Sequence, residues 1–274
     1  YAYCEAVGIA RADCNEDQVE TYISSNPNLG PEESESTNFG IIYEWGNHSV
    51  AVDFFETTID KIVTAITVQD IIDSSLLGAS YTQTLTTQGA YCERGGTSAS
   101  SKLDVCYYNP INGNSILTSG MDVKYTGLYE TGVGDFDVNF SLVDMDKDEG
   151  EAFYNGPVYN FVGLTSTPNY RYTMDVGHTL KALPELYLTL QYEYIDAMAD
   201  DYSVTYEPIG SVDEWTQVNL RAVYSVPQVD GLNVSLTVRN AEKNDPPLDS
   251  SGEFNRLIHS NLGMVTTLGF SWDL

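Results

Sequence analysis

Leu186-Tyr-Leu-Thr-Leu-Gln-Tyr-Glu-Tyr194 and Leu232-Asn-Val-Ser-Leu-Thr-Val-Arg239 decide the fold. In the second, every other residue is apolar and each one between is polar, a period of two that a helix cannot present. A strand with this pattern has one dry face and one wet face. The first puts Leu186, Leu188, Leu190, Tyr192 and Tyr194 on one side, and Tyr187, Thr189, Gln191 and Glu193 on the other. Phe136, Val138, Phe140 and Leu142 alternate with Asp137, Asn139 and Ser141, and Val218, Leu220, Ala222, Tyr224 and Val226 are opposed by Gln217, Asn219, Arg221 and Ser225. At the end, Leu268, Phe270, Trp272 and Leu274 alternate with Thr267, Gly269, Ser271 and Asp273. Weaker runs near 38–46, 49–58, 117–129 and 170–178 bring the expected number of strands to nine.

The connections sort these strands in space. Gly46–His48, Thr131–Gly134, Thr179–Glu185 and Pro227–Gly231 read as short turns, whereas 59–116, 145–169, 196–214 and 242–262 are long, polar and mostly acidic. Short and long connections alternate along the whole chain. An outer-membrane β-barrel requires this, with turns on the periplasmic side and loops outside, and a soluble sandwich or propeller has no reason for it. The expected fold class is therefore an all-β, antiparallel transmembrane barrel. Tyr43, Trp45, Tyr125, Tyr129, Tyr194 and Tyr224 fall near strand ends, where interfacial aromatic girdles form. Bacterial single-chain barrels use an even number of strands, and nine leave an edge unpaired in lipid. We therefore expect residues 1–274 to be the carboxyl-terminal part of a barrel whose remaining strands lie upstream.

Composition narrows the function. The chain of 274 residues carries 12 Lys and Arg against 40 Asp and Glu, a formal charge of −28. It has no basic stripe to neutralise phosphates, so nucleic acid is not an expected partner. No run of about 18 apolar residues exists, which excludes a helical span but not a barrel strand. Four cysteines form two close pairs, Cys4 with Cys14 and Cys92 with Cys106, with no His nearby to complete a zinc site. The spacing suggests two loop disulfides made in an oxidising compartment, free buried thiols being the alternative. The histidines, His48, His178 and His259, are far apart and read as ordinary surface or lumen residues. No nucleophile elbow or metal-binding helix motif appears, so neither an enzyme nor a cofactor is expected. Asp144-Met-Asp-Lys-Asp-Glu-Gly150 superficially resembles a calcium loop, but its glycine falls one place late and position twelve is Asn155 rather than Glu. It reads as a solvated acidic loop.

Particular residues then carry a family resemblance. Asn26-Pro-Asn-Leu-Gly-Pro-Glu32, followed by Ser34, Ser36 and a strand ending in Tyr43 and Trp45, resembles the N-P-N-L-x-P-E segment of TonB-dependent receptors. Val52-Asp-Phe-Phe-Glu-Thr-Thr-Ile-Asp60 with a short helical stretch at Val68-Gln-Asp-Ile-Ile-Asp73, and Thr118-Ser-Gly-Met-Asp122, are similar to that family's next strand, loop and strand opening. Trp215, Val238-Arg-Asn240 before Asp245-Pro-Pro247, and Leu268-Gly-Phe-Ser-Trp272 keep the family's order. The chain departs from the pattern at Leu274, where the family ends in Phe, and at Asn240-Ala-Glu242, where it has Asn-Leu-Phe.

The resemblance implies a barrel of 22 strands around an amino-terminal plug, of which this chain supplies about the last nine, with the plug outside the chain. It also implies partners: outer-membrane lipid and lipopolysaccharide, the parent's own plug and remaining strands, the TonB complex, and the barrel assembly machinery that reads the last strand, Leu268, Phe270, Trp272 and Leu274. Polar-face residues Asp53, Asp122, Lys124, Asp137, Asn139, Gln191, Glu193, Asn219 and Arg221 would meet plug or water, and substrate would meet the long loops. The expected function is energy-coupled uptake of a scarce nutrient such as a siderophore, cobalamin or oligosaccharide. A passive porin is the alternative, and an outer-membrane enzyme or adhesin a third reading that lacks a visible constellation at the rim.

Overall fold

The computed structural model describes residues 20–68, 70–71, 86, 89–94, 103–151, 158–164, 167–202 and 208–272. In chain order the strands are β1 (Glu20–Ile23), β2 (Glu33–Trp45), β3 (His48–Asp60), β4 (Val63–Ala65), β5 (Tyr91–Arg94), β6 (Leu103–Tyr108), β7 (Pro110–Asn112), β8 (Ile116–Glu130) and β9 (Gly134–Glu151). They continue with β10 (Val158–Asn160), β11 (Tyr170–Leu180), β12 (Leu186–Ile195), β13 (Asp201–Tyr202), β14 (Pro208–Ile209), β15 (Trp215–Ser225), β16 (Leu232–Arg239) and β17 (Val265–Trp272). The described residues belong to two compact units, one within 1–35, 58–117 and 149–159, the other within 36–57, 118–148 and 160–274.

The second unit is built on a sheet running β17-β16-β15-β12-β11-β9-β8-β3-β2, with β10 beside β9. The path contains the nine strands expected from the alternation. From β9 to β17 the strand pairings along this path are all antiparallel. Register fixes which side chains share a face, because a slip of one residue would turn every side chain over. His178 pairs with Leu188, Leu188 with Ala222, Ala222 with Leu236 and Leu236 with Leu268, so one rank of the apolar face crosses five strands. On the opposite face Asn139 pairs with Asp175, Asp175 with Gln191 and Gln191 with Asn219. The apolar face is bare: Leu188, Leu190, Leu220, Leu236, Leu268 and Phe270 are all exposed. In water such a face would be a liability, whereas in lipid it is what a spanning sheet must present.

Short connections at 46–47, 131–133, 181–185 and 226–231 join alternate strand pairs, and the hairpin between β2 and β3 turns on Gly46 with φ of 53°. The other connections are long, as expected. One boundary differs. Asp144–Gly150, read above as a loop, continues β9 as strand to Glu151. Its carboxylates point the sequence reader to a loop, but Asp148 N donates to Asn160 Oδ1, Phe161 N donates to Asp148 O and Thr167 Oγ1 donates to Asp148 Oδ2. The backbone therefore finds partners from the returning chain and stays extended.

The first unit contains the sheet β1-β6-β5, in which β1 runs parallel to β6, and the ladder β4-β7. Its core is Ile66, Ile71, Ala90 and Ile111, with Cys92 and Tyr108 packed against it. Val68, Asp70 and Ile71 lie in a helical turn. Thr67 N and Oγ1 donate to Asp70 Oδ2 while Asp70 N donates to Thr67 Oγ1, the reciprocal bonding of a capping box.

Gly120 is required by what lies over it. A Cβ there would stand 2.9 Å from Phe55 Cζ and press on the Asp144 carbonyl. Gly120→Val is expected to lower stability by about 1–3 kcal/mol through overpacking, read as a lower urea midpoint for the protein folded in lipid vesicles, whereas Gly132→Val, at an open position, leaves the midpoint within error.

Candidate functional site

Two regions have the geometry of recognition surfaces, the polar face of the sheet and the structured long connections. On the polar face the side chains bond across strands. Tyr187 OH donates to both Asp137 oxygens at 2.9 Å, Gln191 Nε2 donates to Asp175 Oδ1 at 2.8 Å, and Asn219 Nδ2 donates to Gln191 Oε1 and Glu193 Oε1, each at 2.9 Å. Gln217 Nε2 donates to Asn219 Oδ1 at 2.9 Å. Of the residues expected on this face, the structure joins Asp137, Gln191, Glu193 and Asn219 into these chains. Asp53 is placed there by the carboxylate it lays against Gly40 of the neighbouring strand. Cross-strand bonding holds these groups in fixed positions, which suits a rigid partner more than a freely hydrated channel wall.

At the end of the same sheet two connections, 196–214 and 240–264, share a small core. Ile195, Met198, Val212 and Trp215 are buried, and Ile258 packs against them. His259, read above as a surface or lumen residue, is instead 6% exposed, with its ring edge-on to Trp215 at 5.6 Å. Among the described residues its ring nitrogens have no side-chain hydrogen-bond partner. Burial pushes its pKa below the ordinary histidine range, against a smaller opposing effect of the Asn255 backbone. Asp200 is also buried and accepts from Ser250 N at 2.7 Å, tying the two connections together. Asp249 Oδ1 accepts from Ser251 Oγ, Ser251 N and Glu253 N, and these bonds hold its carboxyl below the usual range.

Asn240 ends β16 and was quoted above only as a motif residue. It adopts φ of 49° and is 2% exposed. Its N–H donates to Asn219 Oδ1, its Nδ2 to Asn244 O, and its Oδ1 accepts from Asn244 N. Asparagine tolerates the left-handed conformation and supplies both a donor and an acceptor, so it closes the strand and starts the loop.

In the first unit the motif beginning at Asn26 is a bracket. Asn26 Nδ2 donates to Pro110 O, Gly30 N donates to Asn112 Oδ1, Asn112 Nδ2 returns to Gly30 O and Lys61 O, and Val63 N donates to Glu32 Oε1. Cys92 and Cys106 form a disulfide between paired positions of β5 and β6. On the other face of that sheet Tyr91, Tyr107 and Tyr22 stack in one rank at 5.0 and 5.5 Å. Cys4 and Cys14 lie outside the described residues.

The aromatic residues near strand ends gather as expected. Tyr43, Trp45, His48, Tyr125 and Tyr129 form one cluster of ring contacts, with His48 Nδ1 at 2.9 Å from Tyr125 OH and Tyr125 OH at 2.5 Å from Tyr129 OH. His178 lies on the apolar face, stacked on Phe136 at 3.9 Å. The three histidines are therefore in three separate places. Among the described residues no three His, Cys, Asp or Glu side chains converge as a metal set. Leu268, Phe270 and Trp272 share the exposed apolar face of β17, and Leu274 lies outside the described residues.

Comparison with known proteins agrees with this architecture. Residues 9–241 match a family model described as TonB dependent receptor-like, beta-barrel. No curated protein sequence matches. Among solved structures, the FrpB iron transporter from Neisseria meningitidis (F3-3 variant) is similar at TM-score 0.59 and 13% identity, covering 91% of this chain and 32% of its own. The siderophore receptor PirA from Acinetobacter baumannii is similar at 0.58 and 12%, covering 91% and 33%. A mutant of the ferric enterobactin receptor PfeA from Pseudomonas aeruginosa follows at 0.55 and 11%, covering 88% and 31%. At these identities the likeness is one of fold, and the chain spans about a third of the length of each structure.

His259 makes the shared loop core pH-sensitive. Its folded pKa lies below the unfolded 6.5, so its contribution is complete above that value and is lost as pH falls through and below it. Amide exchange over 255–262, corrected for intrinsic rate, is expected to be faster at pH 5 than at pH 7.5, and His259→Phe abolishes the difference.

Proposed function

Because the chain belongs to the TonB-dependent receptor β-barrel family, we propose that it forms the carboxyl-terminal stretch of wall of an outer-membrane receptor that takes up a scarce nutrient through TonB-coupled transport. The observation that carries this reading is the sheet's path of nine strands whose two faces differ, apolar and bare on one side, polar and bonded across strands on the other. Both outermost strands, β2 and β17, have a partner on one side only among the described residues. In lipid such edges must be paired, so the sheet calls for further strands to close it. We propose that the parent barrel has about 22 strands and that an amino-terminal plug docks on the polar face at Asp137, Asp175, Gln191, Glu193 and Asn219. Outer-membrane lipid surrounds the apolar face, and the assembly machinery recognises β17.

The connections that share the Trp215 core face outward in this reading and meet substrate first. The names of the three structural neighbours, an iron transporter, a siderophore receptor and a ferric enterobactin receptor, support an iron chelate as the first substrate class to test. Relation to transporters and receptors supports a non-enzymatic role.

The test is uptake. The full-length gene, expressed in a strain stripped of its own receptors, is expected to confer accumulation of a radiolabelled ferric siderophore, and loss of TonB or collapse of the proton gradient returns accumulation to that of the empty strain. Accumulation that persists without TonB would instead identify a passive channel.

A further inference from the structure

The sheet β1-β6-β5 of the first unit has two unlike faces. The disulfide of Cys92 and Cys106 lies on one of them, where Cys92 and Tyr108 pack against the core of Ile66, Ile71, Ala90 and Ile111. Side chains alternate along a strand, so the residues between them point away from that core. The register sets these in two neighbouring ranks. Tyr22, Tyr107 and Tyr91 form one, and Glu20, Val105 and Glu93 form the other.

The tyrosine rank is a fixed wall. Its rings stack at 5.5 and 5.0 Å, and on the reverse face the disulfide ties β5 to β6 between the two ranks. A surface held in this way loses little side-chain freedom when a ligand lands on it. The second rank is a step of one apolar side chain, Val105, with an exposed carboxylate at either end. Two strand spacings separate Glu20 from Glu93, about 9.6 Å. Glu20 is steadied by Tyr22, whose OH donates to Oε1 at 2.6 Å. Both carboxylates act on the centre of the face, since the Tyr107 hydroxyl is pushed above its ordinary pKa by burial first and then by Glu93, Tyr91 and Glu20. The ion pair formed among the described residues, Lys61 with Glu33, uses neither of them. Arg94, the one cation in these three strands by sequence, follows a shift of register at the end of β5.

We propose that this face is a binding site for a linear organic dication of the polyamine class, one ammonium at Glu20 and another at Glu93, its methylenes crossing Val105 along the tyrosine rank. A monoamine of the same hydrophobicity engages one carboxylate only, a short diamine cannot reach both, and an anionic ligand is repelled by the pair. The inference goes beyond the uptake reading and stands on the first unit alone, so failure of either leaves the other in place. Both carboxylates are exposed, so each pairing is worth about twofold to fivefold in affinity.

The test is equilibrium dialysis of radiolabelled spermidine against the full-length protein in phosphatidylcholine nanodiscs at physiological salt. Glu20→Gln and Glu93→Gln should each weaken binding about twofold to fivefold. Asp104→Asn, which removes the same charge from the opposite face of β6, should leave it unchanged. Diaminooctane with terminal amines should displace spermidine, whereas butylamine at equal ammonium concentration should not, and thiol titration checks that each variant keeps its disulfides. Equal weakening by Asp104→Asn, or equal displacement by butylamine, would reduce the effect to net charge and overturn the site. No binding by the wild type, or affinity unchanged in both glutamate variants, would overturn it as well.

Discussion

In hydrocarbon a backbone N–H or C=O without a partner costs several kcal/mol, because no water is present to take it. The proposed membrane wall would meet that demand with strands. Each strand of the sheet from β16 to β3 is bonded on both sides, so their backbone is satisfied before any side chain is considered. The side chains are then free to divide by face, the leucines on the bare face and the carboxylates and amides on the other. The division is as strict as the register, since one residue of slip would exchange the faces.

The polar face solves a second problem. Carboxylates at Asp137, Asp175 and Glu193 stand close together on one side of a sheet in a chain that is strongly acidic overall. Tyr187, Gln191 and Asn219 donate to them, which disperses the charge. The same bonds fix the side chains in place, so a plug docking there would meet a preformed surface and lose little side-chain entropy. At the end of the sheet bearing the long connections, Asn240 and Trp215 pass this order on to the loops. Asn240 turns the chain out of β16 while remaining bonded to Asn219, and Trp215 carries the buried core shared by two connections. Connections placed this way are held by the sheet instead of hanging from it.

Much of this was legible in the sequence because a period of two, turn length and aromatic placement are local signals. The alternation in Leu186–Tyr194 and Leu232–Arg239 marked strands and faces, and the Cys92 and Cys106 pair marked a clamp that the structure contains. What could not be read depends on contacts distant in sequence. The acidic Asp144–Gly150 stays strand because residues near 160 return to bond it. His259 is buried because two connections close over it, and no neighbouring residue announces that. The parallel pairing of β1 with β6 joins residues more than eighty positions apart, and the glycine of Thr118-Ser-Gly120 is explained by the Asp144 carbonyl and the Phe55 ring over it. Motif order found the family, but the reasons for the motif residues lie in three dimensions.

The central claim is that one face of the sheet lies in lipid and the other does not. Spin labels placed singly at consecutive positions of β12, from Leu186 to Ile195, in the full-length protein in vesicles test it most directly. Accessibility to oxygen should be high at 186, 188, 190, 192 and 194 and low at 187, 189, 191 and 193, with the opposite or no response to a water-soluble nickel chelate. Accessibility that does not alternate, or alternates with the nickel chelate highest at the leucines, would mean that this face meets water and that the chain is not a membrane wall.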